Sequence, residues 1–293
     1  MERSMPPGLS SIGTNSMAWI SAICLLAPAW GAAPASQPLA VCPINKESLA
    51  QMQKRHPLAS VEVDDPVYHR KQRYQGFWLR DLLKEMSYAG HLESDVYVRF
   101  RCEDGYLPAM PLSRALKGDG LIAVRDLHAP PGKDWEPLPA DGGPSTPAPS
   151  YLVWVSPPGG PEDYPWPYQI VAIELTSAAD ALGSAAPEGS ARRGYDLFVK
   201  HCLKCHAING LGGTLGPELN SPYSVTEYWN PAFLSRFIAN AASIRARTKM
   251  PDFRSLSAQD IQSIIEYLEY MGSHKNLERA AWKFRLSGSA VWE

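Results

Sequence analysis

The stretch Cys202-Leu203-Lys204-Cys205-His206 constrains this chain more than any other. Two thiols three positions apart can reach the two vinyl groups of one haem and form thioethers, and the histidine that follows then lies beneath the iron. A bare Cys-x-x-Cys also suits a redox dithiol or half of a zinc site. A redox pair belongs near a βαβ pattern, and a zinc site needs a second ligand pair at finger-like spacing; neither accompanies these residues. The reading is one covalent haem c, held by Cys202 and Cys205, with His206 as proximal ligand.

With 293 residues the chain has room for one or two domains. A formal net charge of -2 gives no global electrostatic argument for nucleic acid or an anionic membrane surface. The 27 prolines and 22 glycines predict long irregular connections rather than a helical bundle. Residues 1–35 read as a signal peptide: Arg3 is a weak basic start, residues 17–27 are apolar, and Ala33-Pro34-Ala35 fits a cleavage site. The apolar part falls short of the about 20 residues that span a bilayer, although an uncleaved anchor stays open. No later segment is long and apolar enough to cross. The mature protein is therefore expected to be exported to the periplasm and soluble. Export leaves Cys42 and Cys102 as an even pair in an oxidising compartment, so a Cys42–Cys102 disulfide is expected, with two buried free thiols as the alternative.

Residues 43–178 read as a strand-rich α+β domain. Residues 60–63, 96–100, 121–124, 151–155 and 169–175 are β-rich runs, and Glu103-Asp104-Gly105 reads as a turn. Residues 77–86 carry helical spacing, with Leu79, Leu82, Leu83 and Met86 on one face and Gly90 as its cap, and a shorter helix lies near Leu112–Leu116. Residues 128–149 form a Pro/Gly-rich segment of the kind that is either functional or disordered. The aromatics of residues 164–168, held by Pro165 and Pro167, read as a rigid wall over the sheet or as a docking surface.

Tyr74-Gln75-Gly76 with Leu79, Leu82 and Leu83, then Asp104-Gly105-Tyr106 with Pro111-Leu112 and Ala115-Leu116, occur in that order. Leu121-Ile122-Ala123, Gly142-Gly143-Pro144 and Tyr151-Leu152-Val153 follow. Together they resemble the sulfite oxidase-like molybdopterin-binding domain. That family holds molybdenum through a cysteine shortly upstream of its W-x-G stretch, and residues 43–74 contain none. Cys102 lies downstream, and the basic run His69, Arg70, Lys71 and Arg73 reads as a solvated face rather than a pterin-phosphate cradle. A soft metal needs a thiolate at such a place, so molybdopterin is not expected.

Residues 179–189 read as a linker, 190–275 as an all-α haem domain and 276–293 as a tail. Tyr195, Leu197, Phe198 and Cys202 share a helical face that leads into the haem motif. The glycines of residues 210–216 follow Cys-x-x-Cys-His rather than a strand, so they are read as backbone approaching a haem edge, with Gly216, Pro217 and Leu219 as pocket wall. Past the signal the methionines are Met52, Met86, Met110, Met250 and Met271. Met250, in a proline-marked loop after a helix over 231–241, is the expected sixth iron ligand. Met271 reads as core, and His201, His274 and water are the rivals. Ser257 caps a final helix carrying Ile261, Ile264, Ile265, Leu268 and Met271, which Gly272 ends.

Gly194 with Phe198, Cys202 to His206, Gly216-Pro217, Met250-Pro251 and Tyr267-Leu268 closely resemble class I c-type cytochromes. In that family the first and last helices cross, and Gly194 would admit Tyr267. The resemblance implies an exported mono-haem cytochrome that passes single electrons between redox partner proteins, with the N-terminal domain as docking module. Two other functions stay open: a molybdenum-dependent enzyme of sulfite dehydrogenase type with a fused haem domain, and a structural or haem-sensing subunit.

Overall fold

The computed structural model describes residues 37–87, 91–139, 145–183 and 187–277. The expected signal peptide, Gly90, Gly142-Gly143-Pro144 and most of the expected tail lie outside them. The elements run β1 (Ala40–Pro43), α1 (Lys46–Arg55), β2 (Ala59–Asp65), β3 (Arg70–Trp78), α2 (Leu79–Glu85), β4 (Val96–Cys102), β5 (Ala109–Pro111), α3 (Leu112–Lys117), β6 (Gly120–Asp126), β7 (Tyr151–Trp154) and β8 (Ile170–Ser177). The helical half continues with α4 (Ala178–Leu182), α5 (Ala191–His201), β9 (Ala207–Ile208), β10 (Leu211–Gly212), α6 (Val225–Tyr228), α7 (Pro231–Ala239) and α8 (Ala258–Gly272).

The strand-rich half contains two antiparallel four-stranded sheets, ordered β1-β8-β4-β5 and β2-β3-β6-β7. Phe77, Ile122 and Leu152 of one sheet share a core with Val98, Phe100 and Ile173 of the other. The far face of the second sheet is also covered, because Tyr74, Leu121, Tyr151 and Val153 form a second cluster closed by Trp135. Strands buried on both faces lose the polar alternation that a one-sided sheet shows, and β7 is buried at every position. Part of the long Pro/Gly-rich segment is thus a lid, with Trp135 packed 6.4 Å from Tyr74. The aromatic run at 164–168 likewise forms a wall: Tyr164 meets Trp154 edge-on at 5.0 Å, and Trp154 Nε1 donates to the Pro165 carbonyl at 2.8 Å.

Gly76 sits at a register shift between β3 and β6, where a methyl group would come within 2.1 Å of the Ile122 carbonyl oxygen. The basic run that follows Tyr68 is a hairpin edge. Lys71 meets Asp64 at 3.3 Å and Arg70 meets Glu136, so these cations are engaged by neighbouring carboxylates.

Several expectations need correction. The strand-rich half begins before residue 43, because β1 pairs Ala40 to Pro43 with β8. Strand β3 claims Phe77 and Trp78, so α2 starts at Leu79. The expected linker at 179–189 opens with helix α4, N-capped by Ser177, and Tyr195 donates to its last carbonyl, Leu182, at 3.2 Å. Helix α7 stops at Ala239, and a separate 3₁₀ turn takes Ala241–Ser243. The expected Cys42–Cys102 disulfide is absent, since both cysteines are free. Strand β8 lies between them: Cys42 pairs with Ile173, whereas Cys102 pairs with Ile170 on the other edge of that strand. Two strand spacings of about 4.8 Å exceed the about 7 Å between α-carbons that a disulfide tolerates.

In the helical half, α5 and α8 cross at Gly194. A methyl group there would lie 1.9 Å from the Ser263 carbonyl oxygen and 2.7 Å from Tyr267 Cβ, so only glycine permits the contact. Phe198, Ile264, Ile265 and Leu268 are buried around the crossing, each side chain stabilising it by about 1.5–3 kcal/mol. Ser257 and Asp260 complete a full capping box at the start of α8.

Denatured without reductant, the protein is expected to take up a thiol-alkylating label at both Cys42 and Cys102. Peptide mass mapping that finds either one unlabelled in unreduced protein would refute the free-thiol assignment.

Candidate haem site

The attachment segment grows directly out of the end of α5. Cys202 N–H donates to the Phe198 carbonyl at 2.8 Å, and both Cys205 N–H at 3.0 Å and His206 N–H at 2.8 Å turn back onto the Cys202 carbonyl. This tight turn brings Cys202, Cys205 and His206 to the wall of one cavity of about 320 Å³. Burial pushes the free thiol of Cys202 up to about 12 and that of Cys205 up to about 11. A redox dithiol works through a lowered pKa, so this environment speaks against a thioredoxin-like pair. Among the described residues no group of three or more His, Cys, Asp or Glu is placed to hold a metal ion.

His206 is oriented by one hydrogen bond: its Nδ1–H donates to the Pro217 carbonyl at 2.9 Å. With the proton fixed there, Nε2 keeps its lone pair free for iron. Burial holds the imidazole below the usual histidine range, although the Pro217 bond opposes that shift. The neutral form is the one that ligates a metal.

The glycines of residues 212–216 also approach the attachment turn closely. A methyl group at Gly216 would lie 2.4 Å from His206 Cε1, and one at Gly213 would lie 2.2 Å from the Lys204 carbonyl oxygen. Gly212, at φ +113°, would meet the His206 carbonyl oxygen at 2.3 Å. The loop therefore wraps the attachment turn and the ligand ring.

Three features here escaped sequence reasoning. Asn209 and Gly210, with φ of 52° and 75°, turn the β9–β10 hairpin; an Asn-Gly pair between short runs is a strong hairpin signal and could have found it. The Glu218 carboxylate accepts from the backbone N–H groups of Asn209 at 2.7 Å, Gly210 at 2.9 Å and Asn220 at 3.0 Å. Asn220, fully buried, donates to Asn209 Oδ1 at 2.8 Å and to the Met271 carbonyl at 2.7 Å. Nothing in the local pattern marks these two residues, because their partners are set by the folded loop. Together they fix the loop whose Pro217 carbonyl holds the histidine.

Met250 lines the same cavity as His206, and its N–H donates to Thr248 Oγ1 at 3.2 Å. Pro217, Gly216 and Leu219 line it as well. Phe198, Trp229, Phe237, Ile264 and Leu268 supply most of the apolar lining. His201 also lines the cavity, with its Nδ1 3.1 Å from Glu162 of the strand-rich half. His274 is outside the lining: its ring stacks on Tyr270 at 4.0 Å and its Nδ1 lies 2.7 Å from the Tyr270 carbonyl. Met271 packs into the helical core, while Met52, Met86 and Met110 belong to the core of the strand-rich half. Two thiols, an imidazole with a free Nε2, a thioether and an apolar lining form a donor set that fits a covalently attached haem.

Residues 189–268 match the family model described as cytochrome c oxidase, cbb3-type, subunit III. This part of the chain is a c-type cytochrome domain. Such a domain carries covalently bound haem c and serves electron transfer with redox partner proteins. The match spans less than a third of the 293 residues and does not touch the strand-rich half. No helix among the described residues is long and apolar enough to cross a membrane.

The strand-rich half packs onto the attachment segment itself. Leu107 N–H donates to the Lys204 carbonyl at 2.8 Å, and Thr214 N–H donates to the Gly105 carbonyl at 2.8 Å. Glu162 adds a 3.1 Å ion pair to Lys200. The Asp104-Gly105-Tyr106 turn thus sits against the middle of the Cys-x-x-Cys loop.

Substituting Gly216 by Ala forces the methyl group into the His206 ring and breaks the Pro217 bond. The expected result is at least a severalfold fall in haem per polypeptide, read by pyridine haemochrome absorbance, in protein whose far-UV dichroism is otherwise retained. Unchanged haem content would contradict this account of the loop.

Proposed function

We propose that the chain is an exported mono-haem cytochrome that moves single electrons between a redox partner and a terminal acceptor, with the strand-rich half as a docking module. The carrying observation is the His206–Pro217 hydrogen bond, which prepares Nε2 as a ligand in the cavity that Met250 also lines. Cys202 and Cys205 would hold the haem as thioethers, and His206 and Met250 would bind its iron. Bound there, haem c supplies a one-electron couple. Methionine–histidine ligation raises its potential and leaves no open position for oxygen chemistry. The side chains of Phe198, Ile264 and Leu268 exclude water from the cavity, and the glycine loop holds the imidazole in one orientation.

The strand-rich half supports docking better than molybdenum chemistry. Its resemblance to the sulfite oxidase-like domain lacks the upstream cysteine, and its two remaining thiols are poor substitutes. Cys102 is 4 % exposed within the apolar core, where burial pushes its thiol far up, and burial also raises Cys42. A soft metal requires the thiolate, which both environments disfavour. Cys102 also precedes the turn that binds the cytochrome loop, so its neighbourhood is committed to an internal interface.

Elemental analysis of purified protein is expected to give one iron and no molybdenum per chain; stoichiometric molybdenum would establish the enzyme reading instead. Met250→Ala is expected to abolish the weak far-red band that marks methionine–iron ligation and to open the reduced protein to CO. Ready CO binding by the unsubstituted protein would exclude Met250 as ligand and favour haem sensing.

A further inference from the structure

Another cavity, of about 190 Å³, lies in the seam where the strand-rich half meets the attachment turn. Tyr97 and Arg99 of β4, Arg114 of α3, and Glu162 and Asp163 line it from one side. Lys200 of α5 and Lys204, between Cys202 and Cys205, line it from the other. Four cations thus share the lining with two carboxylates. Two of the cations are matched: Asp163 meets Arg114 at 3.2 Å, and Glu162 meets Lys200 at 3.1 Å. The other two are not. Lys204, half-buried, has no ion pair among the described residues. Arg99, 17 % exposed, meets Glu174 at 2.8 Å, but that one carboxylate also meets Arg101. The Arg99 Nε is buried with no hydrogen-bond partner, and a buried donor without an acceptor is costly and uncommon.

We infer that this cavity binds a small dianion of the sulfate, phosphate or short dicarboxylate kind between Arg99 of one half and Lys204 of the other, and that the bound anion lowers the haem potential. The surplus of two positive charges sets the charge of the guest. The volume sets its size, because pockets for drug-sized ligands run to about 300–1,000 Å³. Arginine and lysine are the usual partners of such oxygens, and Tyr97 adds a hydroxyl to the lining. The second half of the inference rests on the haem reading above. Lys204 stands between the two attachment cysteines, so negative charge beside it favours ferric over ferrous iron. By linkage, the anion then binds the ferric protein more tightly by the same factor.

The test is calorimetric titration of the ferric full-length holoprotein with sulfate and with succinate, at an ionic strength held constant with sodium chloride. Saturable binding of one anion per chain is expected. Saturation by sulfate alone assigns the site to oxyanions and saturation by succinate alone to dicarboxylates, whereas saturation by neither overturns the proposal. Redox titration over the same range of sulfate is expected to show about threefold tighter binding to the ferric protein. At about 59 mV per tenfold for one electron, that is a fall of about 28 mV in the midpoint. A midpoint that is the same in sulfate and in chloride overturns the link to the haem. Lys204→Gln is expected to weaken sulfate binding about tenfold and to abolish its effect on the potential, whatever the starting potential of the variant. Arg99→Lys keeps the charge beside Glu174 but removes the Nε donor, and is expected to weaken binding severalfold even if Lys204→Gln fails to accumulate. Undiminished binding in either variant places the anion elsewhere and refutes the site. Calorimetry reports on the cavity whether or not haem is present, so failure of the haem reading, seen as absence of a haem spectrum, is distinguishable from failure of the site.

Discussion

The bond from His206 Nδ1 to the Pro217 carbonyl is the contact on which this site depends. A histidine beside two thiols can rotate, change tautomer or protonate, and only one of its states is a useful ligand. Fixing that state takes a carbonyl at a set distance, which takes a loop of set shape. Gly212, Gly213 and Gly216 let the loop approach the attachment turn more closely than any side chain would allow. Glu218 then gathers three backbone N–H groups, and Asn220 ties the loop to the end of α8. Buried polar groups are costly unless satisfied, so this network also makes the loop difficult to rearrange piecemeal.

What could be read from the sequence follows the range of the interactions involved. Cys202, Cys205 and His206 declare themselves because their chemistry requires a fixed local spacing. Helix α8 does so because its apolar period and Ser257 cap lie within one turn of each other, and Gly194 because a crossing contact needs the smallest residue. Helix α1 was not legible: only Met52 of its ten residues is buried, so the apolar period is missing and the signal sits in the Asn45–Ser48 cap. The roles of Glu218 and Asn220 are non-local and leave no pattern. The disulfide expectation failed for a related reason. Parity of cysteines counts residues, whereas bridging depends on which strands are neighbours, and β8 lies between Cys42 and Cys102.

The strand-rich half shows a similar division. Strands β2, β4, β6, β7 and β8 were legible as β-rich runs, whereas β1, β3 and β5 were not; the two-sheet arrangement was not legible either, because burial on both faces removes the alternation that would tell inside from outside. The Pro/Gly-rich stretch looked like a connection, yet part of it closes a core cluster through Trp135. Aromatic packing of this sort is decided by shape after the sheet exists, and composition alone could not assign it.

Beside the contacts of Glu162 with Lys200 and His201, two main-chain hydrogen bonds join the halves: Leu107 with Lys204, and Thr214 with Gly105. A joint of peptide groups is indifferent to the side chains that those peptides carry. Leu107, Lys204 and Thr214 can therefore be exchanged for many residues without loosening it, whereas Gly105, at φ +90° with Thr214 close by, cannot. Length is a different matter. One residue added between Cys102 and Leu107, or between Cys205 and Thr214, would shift a donor away from its acceptor and unfasten the seam. The joint is tolerant of spelling and intolerant of insertion.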